Sequence, residues 1–63
     1  MIRLGALVRI IDDEDIALGK QLNDQCGIIV EVIEEYKLYD YRVLIGEARY
    51  YVYEREIEEV FTD

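Results

Sequence analysis

"YDYRVLIGEARYYVY", residues 39–53, reads as two short strands, 39–45 and 48–53, folded back on one tight turn. Val, Ile and Tyr dominate the stretch, and these side chains suit a pleated surface. Gly46 at the first central position suits a two-residue type II′ turn before Glu47. That turn sets the register. Ile45 faces Ala48, Leu44 faces Arg49, Val43 faces Tyr50, Arg42 faces Tyr51 and Tyr41 faces Val52. Period-two alternation then divides the hairpin. Tyr41, Val43, Ile45, Ala48, Tyr50 and Val52 form an apolar face for a core. Arg42, Leu44, Arg49, Tyr51 and Tyr53 form the opposite face.

The rest of the chain organises around this hairpin. Residues 6–11 read as a first strand, with Val8 and Ile10 on one side and Leu7, Arg9 and Ile11 on the other. Residues 12–25, "DDEDIALGKQLNDQ", form a long acidic connection with five acids and one Lys. Ile16, Leu18 and Leu22 are expected to tuck against the core, and a short helical turn fits here. Residues 26–34 read as a long bent strand, apolar on both faces and shared between two sheets. Gly27 marks a bulge or a close-packing point. Cys26 is expected to be a small buried or half-buried side chain. Glu54-Arg55-Glu56 reads as one helical or 3₁₀ turn anchored by Ile57, and residues 58–61 as a last strand with Val60 inward. The expected fold is all-β: a small five-stranded, strongly bent barrel, one domain over residues 1–63.

Composition narrows the function classes. The chain has no His, no Pro, no Trp and one Cys. Missing His removes the residue most used for proton transfer near neutral pH, together with Ser/His and Cys/His nucleophile pairs. A lone Cys makes no internal disulfide, which suits a reducing cytoplasm. No apolar run approaches membrane-spanning length, and no apolar h-region follows Met1-Ile2-Arg3. Acids outnumber bases 15 to 7, for a net charge of −8. A free nucleic-acid backbone is therefore disfavoured as a partner, whereas a basic protein surface would be attracted.

The patterns "GALVRI", "GIIVEV", "YRVLIG" and "YYVYEREIEEV", taken in order, resemble small SH3-like barrel proteins of the prokaryotic and bacteriophage kind. The first two strands are also similar to a degenerate KOW motif, with Gly27 in the place of its central glycine. Asn23-Asp24-Gln25 stand before that glycine, where KOW proteins usually carry basic residues. Leu38-Tyr39-Asp40-Tyr41 resembles the core of the ALYDY motif of eukaryotic SH3 domains. It falls after two strands rather than near the start, and Trp and Pro are absent. The resemblance therefore implies an SH3-like fold without proline-peptide binding. It implies a non-enzymatic accessory protein of phage type, in the host cytoplasm.

The site expected from these residues is a protein-binding surface. Arg42, Leu44, Arg49, Tyr51 and Tyr53 supply interface chemistry, since Tyr and Arg add contact area and directed hydrogen bonds. Asp12, Asp13, Glu14 and Asp15 are expected to steer a basic partner. That acidic run does not match an EF-hand: counted from Asp13, the sixth residue is Leu18 rather than Gly, and the twelfth is Asp24 rather than Glu. Glu34-Glu35 and Glu58-Glu59 are adjacent strand residues, so neither pair forms a facing dyad. No catalytic, cofactor or metal site is expected. Alternative readings are a KOW-like nucleic-acid or ribosome contact through Arg9, Arg42 and Arg49, and a structural part of a virion or homo-oligomer.

Overall fold

The computed structural model describes residues 1–14, 16, 21–34 and 39–61. Five strands appear in chain order: β1 Leu7–Ile10, β2 Cys26–Val32, β3 Tyr41–Ile45, β4 Ala48–Val52 and β5 Ile57–Glu59. A 3₁₀ turn over Glu54–Glu56 leads into β5. All ladders are antiparallel, in one sheet of order β4-β3-β2-β1-β5. Among the described residues no ladder joins β4 to β5, so the sheet is open and not a closed barrel.

Both hairpin strands are shorter than expected, starting at Tyr41 and ending at Val52, and they have the expected register at every pair from Tyr41–Val52 to Ile45–Ala48. Gly46 has φ +62°, and Glu47 has no positive φ. A positive φ at the first central residue alone is what a type II′ turn requires. The inward face is buried at Tyr41, Val43, Ile45 and Val52, and half-buried at Ala48 and Tyr50.

β2 departs from expectation in three respects. It belongs to a single sheet and ends at Val32. Its bend comes from a bulge: Ile29 pairs with Val43 and Glu31 with Arg42, leaving Val30 as the extra residue. Cys26 is exposed. The cause is alternation: Gly27 and Ile29 are buried, so Cys26 and Ile28 face outward. Gly27 is a close-packing point, because a Cβ there would sit 2.5 Å from the Leu44 carbonyl oxygen.

The core gathers Val8, Ile10, Leu22, Ile29, Tyr41, Val43, Ile45, Val52 and Ile57, with Ile16 packed against it. Full burial of each aliphatic side chain contributes roughly 1.5–3 kcal/mol before ordering costs. The long connection thus covers the core through Ile16 and Leu22; Leu18 lies outside the described residues. Asp13 ties this connection down, accepting the Leu22 N–H at 2.7 Å and the Asn23 N–H at 3.1 Å. A backbone bond from Ile16 N–H to the Asp13 carbonyl closes a turn, and no described residue of the connection is helical. The last strand is shorter than expected, and half-buried Val60 follows it, its N–H donating to the Leu7 carbonyl at 2.9 Å.

Candidate functional site

The outward face of the sheet is built by the residues that alternate with the core. One row across it is Leu7, Ile28, Leu44 and Arg49, each paired with the next in the ladders. A second row is Glu31, Arg42 and Tyr51. Ile28 is 38% exposed and Tyr51 48% exposed, so the face presents apolar surface to solvent. The ladders therefore bring Arg42, Leu44, Arg49 and Tyr51 to one face, and Tyr53, which follows β4, joins them through its ring contact with Tyr39.

Aromatic packing extends it. Tyr39 stacks on Tyr51 with ring centroids 5.5 Å apart, and its ring is tilted against Tyr53 at 5.0 Å. The Arg42 guanidinium lies 5.4 Å from the Tyr51 ring centre, and that of Arg55 4.3 Å from Tyr53. These distances suit cation–π attraction to the negative ring faces. Arg42 also reaches Glu31 at 3.6 Å, while its Nε is buried without a hydrogen-bond partner. Three rings and two guanidiniums thus hold one another in place, so less side-chain freedom remains to be lost when something docks.

Sequence reasoning missed Tyr39, Arg55, Ile28 and Leu7 as members of this face. Ile28 and Leu7 carried a usable signal, since both alternate with core residues. Tyr39 and Arg55 lie outside the strands, where period-two reasoning has no purchase.

The acidic run is placed elsewhere. Asp12 and Glu14 are exposed, Asp13 is half-buried, and Asp15 lies outside the described residues. The Asp12 side chain accepts the Glu14 N–H at 3.1 Å, a local turn. The run belongs to the connection that covers the core, whereas the Arg/Tyr residues point away from the core. Among the described residues no hydrogen bond or ion pair joins Asp12, Asp13 or Glu14 to the Arg/Tyr residues.

A shallow hollow of about 540 Å³ opens beside the start of β3, lined by Glu34, Asp40, Tyr41 and Glu54 among others. Asp40, Tyr41 and Glu54 are engaged with one another or with the backbone. Asp40 accepts the Glu54 N–H at 2.9 Å. Tyr41, 2% exposed, donates its hydroxyl to Glu54 at 2.6 Å and accepts the Ile2 N–H at 2.9 Å. Burial first, and then the Glu54 carboxylate, raise the Tyr41 pKa above its ordinary value. Glu56 is buried too, and its carboxylate accepts the Tyr53 N–H at 2.7 Å. Arg9 forms an exposed ion pair with Glu58, whose hydrogen bond and charge raise the arginine pKa. Among the described residues no group of three His, Cys, Asp or Glu side chains is arranged to hold a metal. No described helix is long and apolar enough to cross a membrane.

No family model matches the chain, and neither a curated protein nor a solved structure matches it significantly.

Proposed function

We propose that this chain is a non-enzymatic protein-interaction module with an SH3-like strand plan, docking a protein partner on the outward face of its open sheet. The observation that carries the reading is the joining of the apolar Ile28–Leu44 row to the Tyr39/Tyr51/Tyr53 cluster and its arginines. Aromatic and Arg anchors beside apolar surface are the chemistry of interface hot spots. Following the resemblance, the chain is a phage-type accessory protein working in the host cytoplasm. A nucleic-acid role draws less support: Arg9 is committed to Glu58 and Arg42 lies near Glu31, which leaves little free positive charge in a molecule of net charge −8.

The test is a nuclease-treated affinity capture from the source cell's lysate, with an Arg49→Ala/Tyr51→Ala double variant beside the parent. Circular dichroism first establishes that the variant is folded. One dominant protein captured by the parent and lost with the variant is the expected result. A partner captured equally by both would place the contact elsewhere, and its absence in nuclease-treated but not untreated lysate would favour nucleic acid.

A further inference from the structure

We propose that two copies of this chain form a twofold dimer by antiparallel pairing of their β4 edges about Tyr50. The proposal goes beyond the partner-binding reading, because it uses the backbone edge of β4 and leaves the outward face open.

The sheet has two edge strands, and they differ in protection. β5 has three residues, two of them Glu, and Arg9 pairs with Glu58 across it. Short length and charge are common defences against edge pairing. β4 has five residues with no Pro, no Lys and no bulge. It also has no acid from Ala48 through Tyr53, in a chain with 15. Two molecules of charge −8 repel, and this segment, which carries Arg49, is where they can approach with least repulsion.

The turn decides which backbone groups are free. A two-residue hairpin closes on a hydrogen-bonded pair, here Ile45–Ala48, and the pairs alternate from there. Val43–Tyr50 and Tyr41–Val52 are then hydrogen-bonded, while Arg49 and Tyr51 turn their N–H and C=O groups away from β3. Each copy thus offers two donors and two acceptors, spaced by one residue.

Only one in-phase twofold register suits all of them. Centred on Tyr50, it sets Arg49 opposite Tyr51 of the second copy, and the reverse. Both pairs exchange two backbone bonds, and each places a guanidinium beside a ring. Centring on Arg49 would oppose two like charges, at a cost. Centring on Tyr51 would need the Tyr53 N–H, which already donates to Glu56 at 2.7 Å. The Tyr50-centred dimer would join two five-stranded sheets and merge two Arg/Tyr faces into one continuous surface.

The experiment is sedimentation equilibrium of the parent chain from micromolar to millimolar concentration, with amide hydrogen exchange read by NMR over the same range. The expected result is a doubling of mass, with the Arg49 and Tyr51 amides gaining protection as the dimer fills. Added salt should strengthen the dimer by screening the net charge. Tyr51→Pro removes the outward N–H, a change edge strands tolerate, together with the ring that packs on Tyr39, whereas Tyr51→Ala removes the ring and keeps the N–H. The Pro variant should be a folded monomer, and the Ala variant should still dimerise. A parent that stays monomeric at millimolar concentration overturns the proposal. So does a dimer in which both amides remain unprotected. The partner-binding reading fails separately: a β4 dimer that captures no protein defeats that reading alone, and a monomer that captures one defeats the dimer alone.

Discussion

The Tyr41 hydroxyl and the Glu54 carboxylate lie 2.6 Å apart and join the start of β3 to the 3₁₀ turn. The same hydroxyl accepts the Ile2 N–H, so one buried oxygen holds three segments. Tyr41→Phe keeps the ring packing and strands both partners. It should cost about 1–3 kcal/mol, read as a lowered urea midpoint. The pH dependence has a definite sign. The folded state raises the Tyr41 pKa above its ordinary 10.0, so the unfolded chain loses this proton first. Its contribution is whole below pH 10.0 and fades as pH rises from there through the higher folded value. Parent and Tyr41→Phe stabilities should therefore converge in that alkaline window.

Gly27 tolerates no side chain. A Cβ would press within 2.5 Å of the Leu44 carbonyl oxygen and 2.7–2.8 Å of the Val43 and Ile45 side chains. Backbone cannot yield as a flexible side chain can. Gly27→Ala should cost about 1–3 kcal/mol or more by overpacking, measured by thermal melting. A melting temperature equal to the parent's would show that β2 and β3 lie farther apart than described.

The acidic run should divide by role. Asp13 satisfies two backbone N–H groups beside buried Leu22. Asp13→Ala should cost about 1–3 kcal/mol, the range for leaving the part-buried Leu22 N–H without its charged acceptor. Glu14 is exposed, and Glu14→Ala should stay within about 0.5 kcal/mol. Equal losses from the two substitutions would contradict this division.

Tyr39 bridges Tyr51 and Tyr53. Tyr39→Ala should cost about 0.5–1.5 kcal/mol for each aromatic pair lost, seen by chemical denaturation, and should free the two remaining rings. Partner capture should weaken with it. A stability unchanged from the parent would mean that the three rings do not pack together in solution.

The parts legible in the sequence were those governed by local rules. Gly46-Glu47 sets a turn of known geometry, so five strand pairs and two faces followed from it. Glu54 to Ile57 was equally readable, because charged residues before an anchoring Ile suit one tight turn. The Val30 bulge was hidden: in the run from Gly27 to Val30 every alternation reads as apolar, and the partner strand chooses the register. The exposure of Cys26 follows from the inward position of Gly27, and composition does not encode that. Tyr39 joins its cluster across the end of β4, through a contact that depends on tertiary twist. The separation of the acidic run from the Arg/Tyr face needed Asp13, Ile16 and Leu22 in place.

The pairing of β1 with β5 also has a kinetic meaning. Arg9 meets Glu58 across 49 residues of chain, whereas β2, β3 and β4 are joined as neighbouring hairpins. Closing a short loop loses less chain entropy than closing a long one. The three-stranded meander should therefore assemble first, with β5 docking onto β1 near the end of folding. Weakening Ile45 or Val43 should then slow folding, while weakening Ile57 should mainly speed unfolding. The lifetime of the folded molecule would rest on its last strand, and the speed of its formation on the hairpin.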